Sequence, residues 1–391
     1  MKKSLVALAA LVATGAFAQS SVEIYGTLDV GLNKVKNGLI GMNNSNYAVP
    51  VSQSGTGLAN TFARSSLTTN NIGFRGTEDL GGGLRAGFNL QTGGLDLSTG
   101  AAALAFSREA NLSLTGAFGT VKLGRSVSTM CTVGCSYDYN YISNGSAYAV
   151  VGVSPANIKA SSRRSNQIEW TTPTVLPGLT LRAATILRGD AVEDSTFSST
   201  LGSANAALTY KGVGVLGANY VAGPLRAAIA YEGAASNDST KRGARFAGFD
   251  YDFGMAKVAL SYVINDTKGN TASTIGTTSF RSAAGATSGK GWGFSVAAPL
   301  GAATLGVQYA DNTENKVKAT EVFARYTLSK RTELYGYYTT TSGSLAGNET
   351  AFNTTATTIP TSATSVNINN LGLAAVPAKV NIMGVGVRHT F

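Results

Sequence analysis

One histidine stands in 391 residues, His389, and that scarcity removes several kinds of chemistry. A Ser/His hydrolase needs a base beside its nucleophile, but the single imidazole lies near the chain's end on the apolar face of its segment. A zinc site with imidazole ligands has too few of them. Neither a cofactor nor a nucleic-acid partner is expected. Charge is scarce too. Asp, Glu, Lys and Arg make up 13% of the chain, half the roughly 25% usual in a soluble domain. The few carboxylates form no close pair with an evident pocket, which leaves carboxylate catalysis without a visible site. Long apolar runs are missing as well. After residue 18 none approaches the ~20 residues that a membrane-spanning helix needs.

The N-terminus begins with the basic Met1-Lys2-Lys3, continues as an apolar stretch from Leu5 to Phe17 and ends in Ala16-Phe17-Ala18. That order of features predicts a secretory signal peptide over residues 1–18. Residues 19–391 then form one domain of 391 − 18 = 373 residues, and loss of Lys2 and Lys3 lowers the formal charge from +10 to +8.

Within that domain the recurring signal has period two. Leu84, Ala86, Phe88 and Leu90 alternate with Arg85, Gly87, Asn89 and Gln91. Leu179, Leu181 and Ala183 alternate with Arg182 and Ala184, and Val322, Ala324 and Tyr326 with Phe323, Arg325 and Thr327. One face is apolar, and the other carries arginine and small polar groups. A soluble sandwich would pack its inner face with large apolar side chains. Here the apolar face suits lipid, and the polar face must line something wet.

Connections alternate in length. Short ones such as Asp79-Leu80-Gly81-Gly82-Gly83, Leu176-Pro177-Gly178 and Asp252-Phe253-Gly254 have tight-turn chemistry. Long ones cover roughly 37–63, 93–104, 127–163, 189–204, 233–243, 267–289, 311–318 and 343–378 and are rich in Ser, Thr, Asn, Gly and Ala. Eight long loops and seven short turns predict a transmembrane antiparallel β-barrel of 16 strands. Tyr210-Lys211-Gly212 could be one more turn, giving 17, but bacterial single-chain barrels are normally even-numbered. Segment 203–221 is therefore read as one bulged strand or as loop running into a strand.

The motifs Val22-Glu23-Ile24-Tyr25-Gly26-Thr27-Leu28-Asp29, Gly73-Phe74-Arg75-Gly76-Thr77-Glu78-Asp79-Leu80-Gly81 and Phe118-Gly119-Thr120-Val121-Lys122-Leu123-Gly124-Arg125, with the terminal Gly386-Val387-Arg388-His389-Thr390-Phe391, resemble Gram-negative general porins of the β-proteobacterial branch. The resemblance runs from end to end of the mature chain. It implies an outer-membrane trimer among lipids, passing small hydrophilic solutes and inorganic ions, with the third long loop folded into the lumen. It also implies that Phe391, which shares a face with His389, Val387, Val385 and Met383, belongs to an assembly signal.

A pore selects at its narrowest cross-section. Segment 127–163 is in the place of the constriction loop, and Asp138 is the only acid from Ser126 to Ile168. Asp138 is therefore expected to face the wall cations. The resemblance nominates Arg108 and Arg164 as two of these, while Asn71 stands where a third arginine is common. Parity adds Arg75 and Arg85 to the lumen but puts Arg108 with Ala110, Leu112 and Leu114, toward lipid. The net positive charge and the single loop acid predict a preference for anions. Cys131 and Cys135, in an exported chain, can form a disulfide within the loop; two free thiols are the alternative. A substrate-specific channel on the same barrel is the main rival function, and an inward aromatic ladder including Tyr335 and Tyr337 would favour it.

Overall fold

The computed structural model describes residues 21–36, 59–63, 67–93, 95, 105–143, 145–156, 162–174, 176–187, 213–233, 243–265, 289–314, 316–343, 379 and 381–391. The expected signal peptide and segment 203–212 lie outside the described residues.

Strand segments follow one another along the chain as β1 (Ser21–Lys36), β2 (Ala59–Ala63), β3 (Asn71–Gly81), β4 (Leu84–Gln91), β5 (Glu109–Gly116), β6 (Gly119–Val127), β7 (Arg163–Thr171), β8 (Leu179–Ile186) and β9 (Val213–Ala222). They continue as β10 (Leu225–Glu232), β11 (Ala244–Asp252), β12 (Lys257–Asn265), β13 (Gly289–Leu300), β14 (Ala303–Asn312), β15 (Val317–Thr327), β16 (Thr332–Ser342) and β17 (Asn381–Thr390). From β3 onward each pairs antiparallel with the next, and β1 pairs with both β17 and β3, so the sheet closes on itself. Closure leaves no row of unpaired N–H and C=O groups in hydrocarbon, where each would cost several kcal/mol.

Both β2 and β3 pair with β1, at Gly31–Val35 and Ser21–Thr27 respectively. They are two parts of one barrel position, and the seventeen segments make a barrel of sixteen strands. Of segment 203–221 only the part from Val213 on is described, as the strand β9. Val213–Ala222 alone bridges β8 and β10.

The side-chain distribution is inverted relative to a soluble protein. Ile229 and Leu112 are each 63% exposed on the outer face, whereas Glu321 and Gln308 inside the barrel are fully buried. Every second residue pays no desolvation cost on the apolar side, because lipid is its solvent. Seven connections at one end are short, such as 82–83, 223–224 and 301–302. Those at the other end are mostly long, with one correction: 311–318, expected to be a long loop, leaves only 313–316 between the strands, because pairing of β14 with β15 continues out to Asn312 and Val317.

Candidate functional site

The described part of the connection between β6 and β7, residues 128–143 and 145–156, folds into the barrel. It opens with helix α1 (Thr129–Gly134), whose N-cap Ser128 accepts a hydrogen bond on its side chain from Cys131 N–H, satisfying an otherwise orphaned donor. A 3₁₀ turn (Cys135–Tyr137) and helix α2 (Ala147–Val151) follow. Cys131 and Cys135 are joined by a disulfide, with Cα atoms 4.7 Å apart.

Alternation on the wall makes room for this loop. Met130, Val133 and Tyr137 bury themselves against Ala228, Ala230, Ala244, Ala259 and Phe246, and the small alanines let the helix come close. Further on, the Tyr148 ring occupies the space that a Cβ on Gly293 would fill. The loop is also tied by polar groups. Thr129 Oγ1 donates to Glu169 Oε2 at 2.6 Å, and Arg226 Nη1 donates to Ser136 Oγ at 2.8 Å while its guanidinium lies 4.6 Å from the Tyr137 ring centre. Burial pushes the Tyr137 hydroxyl up to about 12. Contacts run along β8 to β11 for α1 and along β14 to β16 for α2. The loop therefore covers the later wall and leaves β3 to β6 bordering the free lumen.

Asp138 does not face the wall cations, contrary to expectation. It is 4% exposed and docks the loop to the opposite wall. Its Oδ1 accepts from Gln308 Nε2 at 3.0 Å and from Asn140 N–H at 3.0 Å, and its Oδ2 accepts from Ser146 Oγ. The same Gln308 amide donates to Glu321 Oε2 at 2.8 Å, and Ala147 N–H to that oxygen at 3.0 Å. Burial raises the Asp138 carboxyl above the ordinary aspartate range, and these hydrogen bonds offset part of the rise.

The nominated arginines do not form one cluster. Arg75 lies low on the lumen wall, 2.8 and 2.9 Å from the two Glu23 carboxylate oxygens. Arg85 is opposite Asp79, beside the short 82–83 turn, so it belongs to the rim and not to the narrow section. Arg164 is fully buried and pairs with Glu232 at 2.5 Å, which removes it from the wet surface. Arg108 turns to the polar face of β4, where Gln91 stands. Parity fails for it because it stands in a bend before β5 begins at Glu109. Its Nε donates to Gln91 Oε1 at 3.0 Å, and Gln91 in turn donates to Asn71 Oδ1 at 2.9 Å. Burial and the neighbouring Arg163 lower the Arg108 guanidinium to about 10, still charged at neutral pH.

Two lumen cations were on the polar face by alternation but not singled out as site residues. Arg325 and Arg388 lie 4.5 and 4.9 Å from the ring centre of Tyr141, at the tip of the loop. Arg388 also pairs with Glu333 at 2.9 Å. Among the described residues Arg108 and Arg325 are held by neutral partners. The aromatic ladder is not present at Tyr335 and Tyr337. Each is 5% exposed, with its hydroxyl donating to Asp29 and Asn33 respectively.

A closed antiparallel barrel with an apolar exterior, a polar interior and an infolded loop defines a channel protein of the outer membrane. The comparisons make the class specific. Residues 4–345 match the Gram-negative porin family, and the chain belongs to it. Outer membrane porin protein 32 of Delftia acidovorans is 32% identical over 359 residues, 86% of this chain and 88% of that protein. An outer membrane porin of Bordetella pertussis is 31% identical over 67% of this chain and 69% of its own length. Among solved structures, an anion-selective porin from Comamonas acidovorans superposes with a TM-score of 0.60 at 23% identity, over 95% of this chain and all of that one. The chain is thus a general porin of a Gram-negative outer membrane, a non-enzymatic channel from a family that is typically trimeric.

Proposed function

We propose that this porin prefers anions. The observation that carries the reading is the burial of Asp138. The loop brings no exposed carboxylate to the passage, while Arg108 hydrogen-bonds to the neutral Gln91 amide and Arg325 lies over the Tyr141 ring. A field with cations on one side and no exposed acid on the loop attracts anions and repels cations. The Comamonas acidovorans porin of similar fold is anion-selective, which points the same way. The zero-current potential in a KCl gradient tests it. Anion selectivity should be clearest at low salt and weaken above about 0.1 M, where the Debye length falls to roughly 10 Å. A cation-selective sign at low salt would overturn the reading.

The chain functions as a homotrimer after removal of residues 1–18, with β1 and β3 to β5 as the contact wall and Phe391 read during assembly. Exposed Trp170, Tyr220, Tyr231, Tyr262, Tyr326 and Tyr338 spread around the later strands, as an aromatic girdle does at a lipid interface. The outer face of β1 and β3 to β5 has Val22, Ile24, Leu112 and Leu114 but no outward tyrosine or tryptophan, which suits contact with protein. Crosslinking in native membranes tests the trimer: a ladder ending at three chains supports it, and monomer alone contradicts it.

A further inference from the structure

Between β2 and β3 the chain does something that a plain barrel strand does not. Ala63 is opposite Gly31 and Asn71 is opposite Thr27, so seven residues, 64–70, stand against three of β1, 28–30. Of this excess, the described residues 67–70 lie inward. Leu67 is 2% exposed and packs on Phe323, Tyr335, Tyr337 and Ile382, on the inner faces of β15, β16 and β17. Tyr139 and Val150 of the constriction loop pack on the same group. Two inward elements therefore meet there.

Asp29 fastens this second element. It is fully buried on the inner face of β1. Its Oδ2 accepts from the backbone N–H of Leu67 at 2.7 Å and of Thr68 at 2.5 Å, and its Oδ1 accepts from Tyr335 Oη at 2.6 Å. Its own N–H donates to Asn70 Oδ1 at 2.5 Å. A bulge needs no such anchoring to interrupt a strand. One carboxylate gathering two successive backbone donors and a tyrosine from the far strand fixes the segment's position in the lumen. Thr69, half-buried, is left at its edge, while the Thr68 hydroxyl is buried.

We propose that residues 67–70 are a second pore-narrowing element, a strap latched by Asp29 and wedged by Leu67, which sets the width of the passage on the β1 side as the constriction loop sets it on the other. The inference rests on the reading of 128–162 as the element that bounds the narrowest section.

The test uses uncharged solutes, so that a change of field is not mistaken for a change of width. Full-length protein in liposomes is assayed by swelling in a neutral monosaccharide and in a neutral trisaccharide, with heat-modifiable gel migration as the check of folding. Asp29→Ala removes the latch and Leu67→Ala the wedge. Each should raise the trisaccharide-to-monosaccharide rate ratio by about threefold or more, since permeation near the cutoff is steep in pore diameter, and Leu67→Met should restore the ratio. Should Asp29→Ala fail to fold, Leu67→Ala decides alone. A double variant Tyr137→Ala/Tyr148→Ala, which empties two seats of the constriction loop, separates the two readings. A ratio altered in that variant but unchanged or lowered in the folded strap variants overturns the strap alone. A ratio unchanged in all of them overturns the loop as the narrowest section as well.

Discussion

The ring of Phe391 covers the bare Cα of Gly26 on the outside of the barrel, and the two backbones exchange hydrogen bonds, Gly26 N–H to Phe391 C=O at 3.1 Å and Phe391 N–H to Gly26 C=O at 3.2 Å. This pair ends the seam between the first strand and the last. A Cβ at residue 26 would come within 2.5 Å of a ring carbon and 2.6 Å of the Asn71 carbonyl oxygen.

Gly26→Val is accordingly expected to destabilise the closed barrel by about 1–3 kcal/mol, the usual cost of overpacking. The temperature at which the compact gel form converts to the slower unfolded one measures it. A variant that converts at the wild-type temperature would show that the seam yields without cost.

Arg164 and Glu232 are both about 1% exposed at the side chain, and removing one takes away the other's buried countercharge. Arg164→Ala should cost about 3–5 kcal/mol, expressed as a loosened junction between β7 and the loop and read out as hydrogen exchange in 129–137. Wild-type protection would show that the ion pair does not hold the loop.

The pH response of loop docking follows from Asp138. Burial raises its carboxyl above the ordinary value of 3.8, so the docked loop favours the neutral form. A group raised in the folded state contributes most below its ordinary value and loses that contribution as pH climbs through the raised one. Protection of amides in 129–143, corrected for intrinsic exchange, should therefore be greater at about pH 4 than at about pH 8. Protection that falls toward low pH would contradict this sign.

The barrel was legible in the sequence because period two is a local property. The alternation of Val322, Ala324 and Tyr326 with Phe323 and Arg325 already separates lipid from lumen, and the short turns mark one end. What failed depended on long-range contact. Asp138 stands alone among its neighbours in sequence, which made it look like the pore's negative pole, yet Gln308, its partner, is 170 residues away. Arg164 likewise meets its carboxylate 68 residues on. Arg108 defeated parity because a bend, which alternation cannot register, separates it from its strand. The strap at 67–70 was invisible for a related reason. Its latch, Asp29, reads as one more polar residue on a polar face until the register with β2 and β3 shows the excess chain.

The central claim is that the field at the narrow section comes from wall cations, with the loop's only acid withdrawn from it. Reversal potentials of Asp138→Asn and Arg108→Ala, recorded beside the wild type in one low-salt KCl gradient, test it most directly. Asp138→Asn should leave the reversal potential near the wild-type value, because the carboxylate it removes is buried against Gln308. Arg108→Ala should move it toward zero. A shift toward stronger anion selectivity in the Asp138 variant, with none in the Arg108 variant, would contradict the account.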